Sequence, residues 1–275
     1  MSVEDLLVFA KQHIHSDHAK ILLAELIDKN VLELFNYLDT IVDNDKVELY
    51  KKEVLALESG KPLQYVIGNV NFLGQKFIIN ENVLIPRFET EELVDYTIKK
   101  AKELFTEPVE IIDLGCGSGV IGLSLKNHLS TKSVDLVDIS DEALKIAKEN
   151  ANNLGLNVTF IHSDMWKNIN NKYDIIISNP PYIKTTEEIE EIVKENEPHL
   201  ALYAGEDGLD CYKKIFSNIK EHMKDKCLIA LEIGYTQAND IIKIINDTLS
   251  DVEIEVKKDM SEKDRMIFIY KNLNK

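Results

Sequence analysis

From the N-terminus to Gly60, apolar residues recur every three or four positions. They fall in four groups: Leu6, Leu7 and Ala10; Ile21, Leu22, Leu23, Leu26 and Ile27; Val31, Leu34, Phe35, Leu38 and Ile41; then Val47, Leu49, Val54 and Leu57. That spacing lines one face of a helix, so the stripes predict core. Neither Gly nor Pro interrupts the stretch, which predicts a bundle of four or five helices joined by short polar turns. Asp17, Asn30 and Asn44 stand where helix starts are expected, because short polar side chains accept from the first free backbone N–H groups.

The pattern changes after Gly60-Lys61-Pro62. Two β-like runs around Gly74, within 71–79, predict a hairpin. From Val109 onward, strand-like and helix-like segments alternate. Strands are predicted at 109–114, 134–139, 158–162, 174–178, 228–233, 252–256 and 266–270. Helices are predicted through Leu125 and over 141–153, 186–195, 208–224 and 236–248. Such alternation builds an α/β fold: a doubly wound, mostly parallel seven-stranded sheet with helices on both faces, closed by an antiparallel strand pair at its edge. The expected division is a helical region over 1–67, a hairpin linker over 68–85 and an α/β domain over 86–275.

Charge narrows the partners. Lys and Arg total 32 against 48 Asp and Glu, a net charge of -16, the wrong sign for a protein held on a phosphate backbone. Cys116, Cys211 and Cys227 are too few and too scattered for a disulfide framework or a zinc site. The acidic start Met1-Ser2-Val3-Glu4-Asp5 lacks the basic beginning of a signal peptide, and no apolar run approaches the length of a membrane span. A cytoplasmic protein with no membrane partner is expected.

The first candidate chemistry is a glycine turn, Asp113-Leu114-Gly115-Cys116-Gly117-Ser118-Gly119, with Gly122 beyond it. A turn this tight from strand to helix brings backbone N–H groups against a ligand. Gly117, Gly119 and Gly122 also fit the dinucleotide pattern, with Asp138 at about its spacing. A pyrophosphate gains nothing from a carboxylate such as Asp113 beside it. S-Adenosyl-L-methionine (SAM) carries cationic ammonium and sulfonium groups that do. Asp138, at the end of the next strand, is placed for ribose hydroxyls.

The second is Asn179-Pro180-Pro181-Tyr182, after a buried strand. Ligands collect at the carboxyl ends of strands where strand order reverses, so this turn and the glycine turn are expected to share one crevice. The prolines fix the backbone and leave carbonyls free to accept. Asn179 adds a side-chain acceptor and Tyr182 a flat face. The set suits a planar –NH2 group.

Together these two turns resemble SAM-dependent amino-methyltransferases acting on conjugated nitrogen. Three further stretches resemble the release factor glutamine methyltransferases among them: Gly60-Lys61-Pro62-Leu63-Gln64-Tyr65-Val66-Ile67-Gly68 before Phe72, Leu84-Ile85-Pro86-Arg87-Phe88-Glu89-Thr90-Glu91, and Asn196-Glu197-Pro198-His199-Leu200-Ala201-Leu202 with Gly205, Gly208 and Leu209. Phe88 stands where that family usually has proline, which loosens the loop but leaves Arg87, Glu89 and Thr90 in place. The resemblance implies a Rossmann-like methyltransferase that moves a methyl group from SAM to the side-chain amide nitrogen of the glutamine in a Gly-Gly-Gln motif of peptide-chain release factors. S-Adenosyl-L-homocysteine would be the product, the helical region would recognise the substrate, and the chain would be a monomer. Asn179 and the Pro180 carbonyl would accept the amide N–H bonds, while Pro181 and Tyr182 shape the slot. Asp113, Gly115, Cys116, Gly117, Ser118, Gly119 and Asp138 would hold SAM, with Asp164 on the adenine amino group and Met165 or Trp166 covering the ring. Asn179 also borders that site. Arg87 and Glu89 would line the substrate opening.

An adenine N6-methyltransferase offers the same planar amino target, with base flipping, but the other stretches and the acidic balance favour the protein amide. A NAD-dependent oxidoreductase leaves Asn179 to Tyr182 unexplained. A non-catalytic SAM-fold scaffold is the remaining alternative. His13, His15 and His18 lack a third ligand at standard spacing and read as solvated surface, and no metal site is expected. Cys116 needs only to be small. The run Glu187-Glu188-Ile189-Glu190-Glu191 reads as an exposed helix face, His162 as a packed or surface imidazole, and Glu232 as structural or lining the crevice.

Overall fold

A computed structural model describes residues 1–273, so the last two positions of the expected 86–275 domain lie outside the described residues. The chain divides into two compact units. One comprises Met1–Asn69 with Glu190–Asn196, and the other Val70–Ile189 with the residues from Glu197 onward.

In the first unit, α1 (Val3–Ala10), α2 (Ser16–Leu26), α3 (Asn44–Glu58) and the short α4 (Leu63–Ile67) pack around Leu6, Leu22, Leu23, Leu34, Tyr50 and Val54. Asn30 caps a turn as expected, accepting from Leu32 N–H (2.9 Å). That turn is a 3-10 helix (Val31–Tyr37), with three residues per turn rather than 3.6. The stripe therefore splits: Leu34 is buried while Leu32, Phe35 and Ile41 stay exposed. Asp17 lies inside the first turn of α2, whose cap is His15, and Asn44 follows the cap Asp43.

The second unit opens, from Val70, within a hairpin of β1 (Asn69–Phe72) and β2 (Gln75–Ile78). Phe72 and Phe77 enter the main core, and Asn150 fixes the hairpin by accepting from Ile78 N–H (2.7 Å) and donating to its carbonyl (2.9 Å). A helix not anticipated from the sequence follows: α5 (Phe88–Leu104), burying Leu93, Val94, Thr97, Ile98 and Ala101 at helical spacing. Phe88 is its first residue, a position proline occupies at no cost in hydrogen bonds.

Alternation then proceeds as β3 (Val109–Leu114), α6 (Val120–His128), β4 (Thr131–Asp138), α7 (Asp141–Asn153), β5 (Thr159–His162) and β6 (Tyr173–Ser178). After these come α8 (Glu191–Asn196), α9 (His199–Leu202), α10 (Asp210–His222), β7 (Met223–Glu232), α11 (Ala238–Thr248), β8 (Val252–Lys258) and β9 (Asp264–Lys271). The helix expected over 186–195 forms only from Glu191, because Glu187, Glu188, Glu190 and Glu191 would oppose like charges one turn apart. Helix α9 was not anticipated.

The sheet order is β5-β4-β3-β6-β7-β9-β8. The first five strands run parallel, and β9 inserts antiparallel between β7 and β8. Parallel strands buried on both faces need continuous apolar runs, and Ile175-Ile176-Ile177 is one. Alternate residues serve opposite faces: Ile111, Ile175 and Ile177 meet α5 and α6, while Ile112, Ile176 and Ile229 meet α10 and α11. No helix of the described residues is long and apolar enough to cross a membrane.

Candidate active site

The winding makes β3 and β6 neighbours, pairing Ile111 with Ile175 and Asp113 with Ile177. At their carboxyl ends, Ser178 Oγ donates to the Leu114 carbonyl (2.6 Å). Gly115 and Asn179, the next residues on each strand, therefore start side by side.

The glycine turn is built from both ends. Gly115 and Cys116 N–H donate to the Val137 carbonyl (2.8 and 2.9 Å). Gly115, Gly117 and Gly119 all hold positive φ (73°, 53° and 82°), conformations that a Cβ would strain. Gly117 N–H donates to Asp138 Oδ2 (2.8 Å), and Ser140 N–H to Asp138 Oδ1 (2.8 Å). Burial raises the Asp138 carboxyl above its usual range, in spite of the lowering effect of these backbone donors. Gly122 lets α6 lie on the sheet: a Cβ there would fall 2.1 Å from Leu136 Cδ2.

One cavity is lined by Gly115, Cys116, Gly117, Ser118, Asp138, Asp164 and Met165 of the expected cofactor set. Asn179 and Pro181 line the same cavity, bringing the two turns together. Asp113, Gly119, Trp166, Pro180, Tyr182, Arg87 and Glu89 are not among its lining residues.

Asp113 is fully buried behind the turn. Its Oδ2 accepts from Gly122 N–H (2.9 Å), bracing α6, while Oδ1 has no hydrogen-bond partner. Burial pushes this carboxyl up to about 7. Met165 faces the cavity, whereas Trp166 turns into the core, donates Nε1–H to the Ile215 carbonyl (2.7 Å) and stacks on His222 with centroids 4.3 Å apart. Asp164 accepts from Lys214 Nζ at 2.9 Å through both oxygens, an exposed pair.

Behind Asn179 lies a chain of polar contacts. Asn179 Nδ2–H donates to Thr90 Oγ1 (3.1 Å), and Thr90 Oγ1–H donates to Glu232 Oε2 (2.6 Å). Thr90 and Glu232 are both buried. Tyr182 is held through its backbone: Gln237 Nε2–H donates to the Tyr182 carbonyl (3.0 Å), and burial raises its phenol, so the ring stays neutral. Arg87 pairs with Glu197, which also accepts from Ile85 N–H (3.1 Å). Glu197 thus ties the 84–87 stretch to the loop before α9. His162 Nε2 contacts the Ile139 carbonyl (2.8 Å) at the surface. No group of three or more His, Cys, Asp or Glu that could hold a metal ion occurs among the described residues.

Among residues that chemistry alone did not single out, Thr90 lines the cavity, as do Ser140 and Lys214, and Glu197 braces the stretch before α5. Thr90 and Glu197 lie within stretches carrying the family resemblance, but a lone Thr or Glu gives no signal of its role.

Comparisons with known proteins follow the same lines. The Methyltransferase small domain family matches residues 94–202. The release factor glutamine methyltransferase of Bacillus subtilis (strain 168) is 41% identical over 240 residues, covering 84% of this chain and 83% of that protein. The Fusobacterium nucleatum protein of the same name is 38% identical over 266 residues, covering 94% of this chain and 72% of its own length. Among solved structures, a ribosomal protein L11 methylase from Lactobacillus delbrueckii superposes with a TM-score of 0.52 at 20% identity, covering 68% of this chain and 81% of that chain. A Thermus thermophilus 16S rRNA N2 G1207 methyltransferase, solved with AdoMet and guanosine, gives 0.51 at 14% identity, covering 74% and 50%. At that identity the structures speak for the fold alone.

Proposed function

The chain belongs to the release factor glutamine methyltransferases, and from that membership we propose that it transfers a methyl group from SAM to the side-chain amide nitrogen of the glutamine in the Gly-Gly-Gln motif of a peptide-chain release factor. The observation that carries this reading is one cavity shared by the glycine turn and Asn179.

The residues present fit SAM. The turn offers backbone without Cβ obstruction, and behind it lies the unpartnered, buried Asp113 Oδ1, whose carboxyl a cationic ligand would draw toward its ionised form. Asp138 would hold the ribose hydroxyls, and the Gly115 to Ser118 backbone would carry the methionine portion. Met165 would cover the adenine, with Asp164 beside its amino group. When bound, SAM supplies an electrophilic methyl group on a sulfonium and leaves as S-adenosyl-L-homocysteine.

An amide nitrogen is a weak nucleophile because its lone pair is conjugated with the carbonyl. The protein's contribution is therefore positioning and electrostatics. Asn179 Oδ1 and the Pro180 carbonyl accept the two N–H bonds of the glutamine amide, which aims the nitrogen and raises its electron density; as the N–CH3 bond forms, one of these N–H bonds breaks and its proton is released to solvent. Pro181 walls the slot, and Tyr182 packs on the amide plane from a backbone pinned by Gln237. Arg87, spent on Glu197, shapes the opening rather than meeting the substrate, with Glu89 near it. The helical region over 1–67 would recognise the release factor, and the net charge of -16 favours a protein substrate over a nucleic acid.

Asn179→Ala tests the assignment. Methyl transfer to an intact release factor, followed by mass spectrometry of its Gly-Gly-Gln peptide, should vanish while SAM affinity measured by calorimetry stays near wild type. Full transfer by the variant would remove Asn179 from the reaction.

A further inference from the structure

We infer that Thr90 and Glu232 are positioning residues that set the polarity of Asn179, fixing which end of its amide meets the substrate. The inference rests on the methyltransferase reading above and assigns new work to two residues that do not touch the reacting atoms in it.

Each group of the chain is limited in what it can do in a hydrogen bond. An ionised carboxylate only accepts, a hydroxyl donates one hydrogen and accepts, and a carboxamide has a donor end and an acceptor end. Glu232 Oε2 therefore takes the single Thr90 hydrogen (2.6 Å). Thr90 Oγ1, its hydrogen committed, is left only with lone pairs toward Asn179. It must then receive a hydrogen, and only Asn179 Nδ2 carries one (3.1 Å). With Nδ2 held there, Oδ1 is the end left to the substrate –NH2. The acceptor that the chemistry requires is thus dictated by a carboxylate two hydrogen bonds away.

The device is built from distant parts of the chain. Thr90 lies in the first turn of α5, Asn179 follows β6 and Glu232 ends β7. The Glu232 backbone is pinned separately, since Tyr212 Oη–H donates to its carbonyl (2.8 Å). Arg265 from β9, Arg87 and Glu89 at the start of α5, Tyr182 after β6 and Tyr212 of α10 complete the charged and titratable groups that act on it. Arg265 is itself committed to Asp259 Oδ2 and the Ile233 carbonyl, each at 3.2 Å. Burial raises Glu232 to about 7, against the lowering effects of Thr90 and Arg265. Once protonated, Glu232 can donate to Thr90, and the chain can run backwards. Thr90 then donates to Asn179 Oδ1, and Nδ2 faces the substrate –NH2, donor against donor.

Thr90→Val keeps shape and removes the relay; Thr90→Ser keeps the hydroxyl; Glu232→Gln replaces an acceptor-only group by one that works in either direction. The assay is methylation of an intact Gly-Gly-Gln release factor across pH, with SAM affinity measured in parallel. Thr90→Val should lower kcat by roughly 10- to 100-fold, the cost of a misaimed nucleophile, with SAM affinity within about twofold, and Thr90→Ser should restore most of it. Wild-type kcat should rise with pH through about 7, and Glu232→Gln should lack that rise. Wild-type kcat in Thr90→Val, equal failure of Thr90→Ser, or an unchanged rise in Glu232→Gln overturns the inference while the methyltransferase reading stands. A wild-type enzyme that methylates no release factor overturns both.

Discussion

Replacing Asp138 by Asn tests the proposed cofactor assignment most sharply, because the brace that the structure shows and the ribose contact proposed for it can be separated. Its two oxygens each accept one backbone N–H at 2.8 Å, from Gly117 and from Ser140. A carboxamide has only one acceptor oxygen, so one of those N–H groups would face an –NH2. Asp138 is only 9% exposed, leaving little room for water to compensate. Losing one charge-assisted bond of this kind costs about 1.5–3 kcal/mol. If ribose hydroxyls also depend on the ionic acceptor, SAM affinity should weaken by roughly 10- to 100-fold, since about 1.4 kcal/mol is a factor of ten. Calorimetric titration of SAM into wild type, Asp138→Asn and Asp138→Ala, all well below their melting temperatures, should give progressively weaker binding in that order. Thermal melts of the same samples report the brace on the glycine turn independently. Lower melting temperatures with unchanged SAM affinity would refute the cofactor role and leave Asp138 as a brace alone.

Two stability predictions complete the set. Gly122→Ala should lower the urea midpoint: its Cβ would lie 2.1 Å from Leu136 Cδ2 and 3.2 Å from Asp113 Cβ. Overpacking of about 1–3 kcal/mol exceeds a helix-propensity gain of at most about 1 kcal/mol, and an unchanged midpoint would mean that Leu136 repacks freely. Glu197→Gln should also lower the midpoint, reflecting a loss of about 1–3 kcal/mol of stability. A single amide oxygen cannot serve both Ile85 N–H and Arg87, and wild-type stability would show that the stretch before α5 is held by other contacts.

Much of this fold is written locally. The β3 to β6 alternation is legible because parallel strands need runs such as Ile175-Ile176-Ile177, and helices such as α7 announce themselves with a cap: Ser140 Oγ accepts from Ala143 N–H (3.2 Å). Helix α5 is hard to see in the sequence because its first turn lies in a stretch that reads as a loop signature, while its buried face mixes Thr90 and Thr97 with Leu93, Val94 and Ile98. The 3-10 turn after α2 looks like α-helix in the sequence because apolar spacing barely separates three residues per turn from 3.6.

The site divides along a physical line. Backbone chemistry is visible in residue type: positive φ demands glycine at 115, 117 and 119, and paired prolines stiffen 180–181. Orientation is not visible in this way. Whether Met165 or Trp166 meets the cavity is decided by an indole N–H that finds Ile215 and a ring that finds His222, both far along the chain. Whether Asn179 presents oxygen or nitrogen is decided by Thr90 and Glu232, each an ordinary residue until the sheet brings them together. A sequence can name the atoms that react, because their chemistry is scarce. The atoms that aim them are common, and only the topology picks them out.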